Sequence, residues 1–194
     1  MGKICIKDDI FRDDIEKAKG FCIENLNNIY VSGDYIVATS GYMAIIIKNK
    51  CIPIKHQNKI FEIDIETNKI INEREVEIED VYHWNEVKKG IEFGLEFCKM
   101  KSENITKVKR KDFVDMFYYK DLSGSWEMFV LENHEPSDRV AFNKYYLKKA
   151  LNLFEEDSTV TVFYPHYSLS PIYIENEKQL VLVLPIRVNS NNLD

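Results

Sequence analysis

Ala141-Phe142-Asn143-Lys144-Tyr145-Tyr146-Leu147-Lys148-Lys149-Ala150-Leu151-Asn152-Leu153-Phe154 is the stretch from which the rest of the fold can be worked out. Leu147, Ala150, Leu151 and Phe154 recur at the spacing of one helical face, which predicts a helix from Asn143 to about Phe154 with that stripe against a core. Lys144, Tyr145, Lys148, Lys149 and Asn152 fall on the opposite face, and no acid follows until Glu155. Such a face is either a solvated helix end, where lysines also suit the helix dipole, or a surface that attracts a polyanion.

Outward from this helix the pattern becomes one of strands. Met128 to Leu131 precedes it as a short strand, and Thr159 to Tyr164, Pro171 to Ile174 and Leu180 to Leu184 follow it. His166-Tyr167-Ser168 and Asn176-Glu177-Lys178 mark the turns between them. The order is β-α-β-β-β. It recurs at the front, where Ile4 to Ile6 is a strand candidate. Phe11, Ile15, Ala18 and Cys22 give a helix stripe with Asp9 at the N-cap, and the strands Asn28 to Ser32, Tyr35 to Ser40 and Met43 to Lys48 come next. Gly33-Asp34 and Ser40-Gly41 separate those three strands. The shared order at the two ends suggests an internal repeat.

The middle of the chain reads less regularly. Ile60 to Ile65 and Ile70 to Ile78 alternate around the turn candidate Thr67-Asn68-Lys69, which predicts a hairpin. Val81 to Lys89 reads as a connector around Trp84. Ile91, Phe93, Leu95 and Phe97 alternate as a strand, although their surroundings also suit a helix. Lys107 to Tyr119 is a helix candidate with a poor apolar stripe. A division into residues 1–90 and 91–194 is expected.

Three pieces of the C-terminal region resemble the closing half-domain of the bacterial DNA-polymerase sliding clamp, the beta subunit or processivity factor. Ala141 to Leu151 is similar to that family's final helix, written Phe-Asn-x-x-Tyr-Leu-x-x-Ala-Leu. Leu169-Ser170-Pro171-Ile172-Tyr173-Ile174 resembles its short strand, and Leu182-Val183-Leu184-Pro185-Ile186-Arg187-Val188 its last strand and tail. The three occur in the family's order over about 55 residues, which is more specific than any one alone. Val37-Ala38-Thr39-Ser40-Gly41-Tyr42-Met43-Ala44 gives a weaker match to an Ala-Thr-Asp-Gly turn, keeping Ala38, Thr39 and Gly41.

The resemblance implies an α+β DNA-clamp fold of repeated β-α-β-β-β units, with helices on one side of antiparallel sheets. It also implies a non-enzymatic factor that assembles as a trimer or hexamer around duplex DNA. At this length the chain holds either two shortened domains or one domain with a long insertion. On the implied helices the DNA-facing residues are Lys144, Lys148, Lys149, Asn152, Arg12 and Lys17. A groove for short peptides of a DNA polymerase or other replication protein would use Thr39, Gly41, Leu184, Pro185, Ile186 and Arg187. The six residues after Val188 extend past the family's usual end and could cover or occupy that groove. The alternative is a clamp-fold adaptor or inhibitor that binds a replication or defence protein without encircling DNA. The short length points to a phage or mobile element.

Composition bounds the rest. With 45% hydrophobic and 30% charged residues the chain is ordinary for a globular protein, and no apolar run approaches a membrane span. The N-terminus lacks a secretion-signal layout, so a cytoplasmic protein is expected. A net charge of −6 argues against a protein that coats DNA, though not against a local basic face. Cys5, Cys22, Cys51 and Cys98 stand singly and read as buried free thiols. His56, His83, His134 and His166 show no metal-ligand spacing, and no phosphate-binding loop or nucleophile elbow occurs. Neither a cofactor nor a metal is expected. Acidic pairs such as Asp13-Asp14, Glu79-Asp80 and Glu155-Glu156 read as solvated surface, and the first helix carries a nearly neutral face of Arg12, Asp13, Glu16 and Lys17.

Overall fold

The computed structural model of the chain describes residues 3–24, 26–99, 105–113, 117–122, 126–131, 140–163 and 170–186. It divides into two compact units: Met1–Phe93 with Glu177–Leu180, and Gly94–Asn176 with Val181–Asp194.

The first unit begins with α1, Lys3–Lys19, and continues through β1 (Asn28–Ser32), β2 (Tyr35–Thr39) and β3 (Met43–Lys48). A 3-10 turn at Ile54–His56 leads to the hairpin of β4 (Lys59–Asp64) and β5 (Lys69–Glu75). The strands pair in the order β5-β4-β1-β2-β3, each antiparallel to its neighbours. Gly33 and Gly41 make the two tight turns at φ +55° and +78°, a region that side chains with a Cβ enter at a cost. At the end of β3 the Lys48 N–H donates to the Lys178 carbonyl at 2.7 Å, which ties residues of the C-terminal hairpin into this unit.

Both faces of β1 to β3 are buried, which explains why Met43 to Ile47 is continuously apolar where a half-exposed strand would alternate. Registers place Ile29 opposite Phe61, and Phe61 meets the α1 residue Phe11 at 6.0 Å between rings, so α1 lies on that face. Tyr30 and Val37 face the other way. There Tyr30 stacks on Trp84 at 5.7 Å and Tyr35 receives the Lys88 ammonium 3.9 Å from its ring centroid. Both partners belong to α2, Ile78–Lys99.

α2 corrects two expectations. Val81 to Lys89 is not a connector, and Ile91 to Phe97 is not a strand. Trp84, Ile91 and Leu95 are buried at helical spacing, whereas Phe93 is 78% exposed, although a strand would have put it beside Ile91 and Leu95. The start of α2 is fixed by Asp80, which accepts the Glu77 N–H at 3.0 Å and is clamped by both terminal nitrogens of Arg74. At the other end of the chain's first element, Ile4 to Ile6 is helical and not a strand. Asp9 accordingly lies inside α1 and not at its cap, and Cys22 lies beyond the helix. No glycine or proline interrupts residues 3–19, and extending a formed helix is easier than nucleating a separate strand of three residues.

The second unit contains β6 (Ile105–Lys109), the one-turn helix α3 (Arg110–Phe113), β7 (Phe117–Leu122), β8 (Trp126–Leu131) and β9 (Ala141–Asn143). It continues with α4 (Lys144–Leu151), β10 (Thr159–Phe163), β11 (Ile172–Glu175) and β12 (Gln179–Val183), the first residues of which fall in the other unit. The pairing orders are β12-β11-β10-β6 and β7-β8-β9. Lys107 to Tyr119 is therefore strand, turn of helix and strand, and not one helix. β8-α4-β10-β11-β12 follows the expected β-α-β-β-β order, with the unexpected short strand β9 between β8 and α4, and α1-β1-β2-β3 repeats it without the leading strand. The last residues of α2, from Gly94, belong to this unit, and Gly94 comes so close to Tyr173 of β11 that a Cβ would overlap the phenol oxygen. The expected turn at His166-Tyr167-Ser168 and the tail from Arg187 lie outside the described residues.

Candidate nucleic-acid interface

α4 is built from both ends. Asn143 has extended backbone, and its Oδ1 accepts the Tyr145 N–H at 2.9 Å, an N-cap that satisfies one of the free donors of the first turn. Leu147, Ala150 and Leu151 are buried, as the spacing predicts, with Phe154 buried just beyond. The C-terminus is held by Arg110. Its Nε donates to the Leu151 carbonyl at 3.1 Å, one terminal nitrogen to Asn152 Oδ1 and the other to Glu156 at 3.3 Å. A cation on the last carbonyls satisfies acceptors the helix leaves open and complements its dipole.

On the outward side, Lys148 is exposed, while Lys144 and Lys149 are half-buried. Tyr145 is 63% exposed. The Lys149 ammonium sits 3.4 Å from the Tyr145 hydroxyl and 5.4 Å from its ring centroid, and Tyr146 meets the same ring edge-on at 5.5 Å. The helix carries three lysines and no acid. Of the acids that follow it, Glu156 is held by Arg110 and Asp157 by Lys111 at 2.7 Å. The Lys111 ammonium also holds the Asp157 carboxyl below its ordinary pKa. Lys144, Lys148 and Lys149 thus share one face, while Asn152 is engaged by Arg110. Nothing in the sequence marks Arg110 as the residue that closes α4.

The basic residues assigned to α1 are placed differently. Lys17 pairs with Asp14 at 3.3 Å. Asp14 is buried and also accepts the Asn49 side-chain amide at 2.9 Å. Arg12 is exposed and lines a cleft of about 300 Å³ within the first unit, walled by Phe11, Ile15, Glu16, Lys55, His56, Phe61, Ile70 and Glu73. His56 stacks flat on Phe11 at 4.7 Å and approaches Glu73 at 3.4 Å. The aromatic and charged character of this cleft comes from four separate elements, which no local pattern announces. Across its length α1 has five basic and five acidic residues, so its face carries no net charge.

Of the groove residues, Thr39 and Gly41 belong to the first unit and Leu184, Pro185 and Ile186 to the second. The Thr39 hydroxyl is occupied within its own turn, donating to the Met43 carbonyl at 2.9 Å and accepting the Gly41 N–H at 3.2 Å. Leu184 is 37% exposed, and the Ile186 N–H donates to the Ala141 carbonyl at 2.8 Å. Arg187 lies outside the described residues. Among the described residues Cys22 is buried and Cys51 half-buried, neither of them in a disulfide, and no group of three or more His, Cys, Asp or Glu is placed to hold a metal ion. No helix among them is long and apolar enough to cross a membrane.

The described residues define an α+β protein with antiparallel strands and one wholly basic helix face. No protein-family model matches the sequence, and no curated protein does. Solved structures similar to the chain include the DNA polymerase III beta chain of Streptococcus pneumoniae, at 11% identity and a TM-score of 0.48 over 93% of this chain. The beta subunits of Borrelia burgdorferi and Thermotoga maritima are similar at 12% identity, with TM-scores of 0.45 and 0.43 over 94% and 91% of this chain. The chain covers 64% of the length of each of the three. Likeness at this level assigns no residue a role.

Proposed function

We propose that the chain is a clamp-like, non-enzymatic factor that associates with DNA through the α4 face and assembles with copies of itself around the duplex. The observation that carries this reading is the face itself: three lysines over two turns, no acid, and an apolar back buried to anchor it. Phosphates are attracted by such a face without any base being read, which suits a protein that slides. Two strand edges suit self-association: among the described residues β5 and β6 are each a terminal strand of their pairing order, and terminal strands favour head-to-tail addition between copies. Polymerases or other replication proteins would then bind through short peptides.

A second reading is favoured by a separate observation. α1 is neutral, and α2 carries five acids against three lysines, so neither of the two long helices is basic. That balance suits an adaptor or inhibitor that docks on a replication or defence protein and encircles nothing. Co-sedimentation with plasmid DNA across a salt series separates the two. The clamp reading expects wild-type protein to sediment with DNA at low salt and to be released by salt, and expects replacement of Lys144, Lys148 and Lys149 by Gln to abolish it. No retention of either supports the adaptor, and equal retention of the replaced protein overturns the role of the α4 face.

A further inference from the structure

Tyr145 is out of place on a face made only to lie along a duplex. We propose that the α4 face binds single-stranded DNA, with the Tyr145 ring stacked on an unpaired base and Lys144, Lys148 and Lys149 neutralising the neighbouring phosphates; this rests on the DNA-associating reading of the same face. The ring is 63% exposed, while Phe142 and Leu147 on either side of it in sequence are fully buried. It is steadied by its own helix, edge-on by Tyr146 and at its hydroxyl by Lys149, and not by packing into a core.

A duplex presents sugar and phosphate to an approaching helix, with its base faces hidden in the stack. A large ring among lysines finds no apolar partner there. An unpaired strand presents base faces between its phosphates. Lysines flanking an aromatic platform match that alternation, and stacking of this kind tolerates any base. Charge complementarity is unopposed on the helix, which contains no acid.

The test is fluorescence anisotropy with a labelled thymidine homopolymer and a duplex of equal length, using the full chain. The homopolymer is expected to bind more tightly than the duplex. Tyr145→Ala should weaken the homopolymer by about tenfold and leave the duplex unchanged, and Tyr145→Phe should retain wild-type affinity. Tyr145→Ala should leave the salt dependence of homopolymer binding unaltered, because the ring neutralises no phosphate. Lys148→Gln should lower its slope by about 0.7. Alanine favours helix, so circular dichroism of Tyr145→Ala should match wild type. Equal affinity of Tyr145→Ala and wild type for the homopolymer, with Lys148→Gln still weakening it, overturns the stacking role and leaves the DNA-associating reading in place. Indifference to Lys148→Gln, or absence of binding to either probe at low salt, overturns both.

Discussion

Replacing Gly94 and Gly90 by alanine, two substitutions four residues apart on α2, should move stability in opposite directions. In a helix interior alanine is favoured over glycine by about 1 kcal/mol, since glycine loses more backbone freedom on folding. At Gly90 nothing lies within 4 Å of an added Cβ, so the full gain of up to about 1 kcal/mol is expected. At Gly94 the same methyl group would overlap the Tyr173 phenol oxygen and stand 3.0 Å from its Cζ. Tyr173 is 2% exposed and its ring is rigid, so it has nowhere to swing, and either the helix or β11 must move. Overpacking of this kind costs about 1–3 kcal/mol, which outweighs the propensity gain. For a chain of 194 residues about 1 kcal/mol corresponds to about 2–4 °C in Tm. Thermal denaturation followed by circular dichroism should therefore show Gly90→Ala above wild type by a few degrees and Gly94→Ala below it by a similar amount. Adding Tyr173→Phe to Gly94→Ala should recover only part of the loss, because Cζ remains close. If Gly94→Ala is as stable as Gly90→Ala, the tight seating of α2 on β11 is wrong.

Arg110→Gln should lower Tm by about 3–6 °C through loss of the bond to the Leu151 carbonyl and the ties to Asn152 and Glu156, worth about 1–2 kcal/mol together; a change under one degree would show that α4 does not depend on it. Acid should weaken the fold in a defined window. Asp64 is held below its ordinary pKa by the Thr67 N–H, Asp80 by the Arg74 guanidinium and Asp157 by the Lys111 ammonium. Folded values below unfolded ones mean that the stabilisation is complete above about pH 4 and is lost as pH falls through the folded values. Tm should stay level from neutrality to about pH 5 and drop below about pH 4, with a shallower drop in Asp80→Asn; an equal drop in that variant would remove the Arg74–Asp80 pair from the account.

The strands β1 to β3 were legible because alternation and continuous burial leave distinct marks and because Gly33 and Gly41 sit where positive φ is needed. α4 was legible because Leu147, Ala150, Leu151 and Phe154 admit only one period. α2 was not, because Ile91 and Leu95 satisfy both a period of two and a helical spacing, and only the exposure of Phe93 and the seating of Trp84 on Tyr30 decide between them. The same holds for the site. Helical spacing alone puts Lys144 and Lys148 on one face, whereas the capping of α4 by Arg110 depends on a residue 41 positions away in the chain. The acids at Glu79-Asp80 read as solvated surface, yet Asp80 starts α2, since its role depends on Arg74 of the preceding strand.

Self-association is the claim on which the clamp reading stands, and the mass of the purified chain in solution tests it most directly. Light scattering across a range of concentrations should give a stable species of three or six chains of 22.9 kDa each, since a closed ring requires symmetric association. A persistent 22.9 kDa monomer at every concentration would contradict assembly around DNA and leave the adaptor reading in its place.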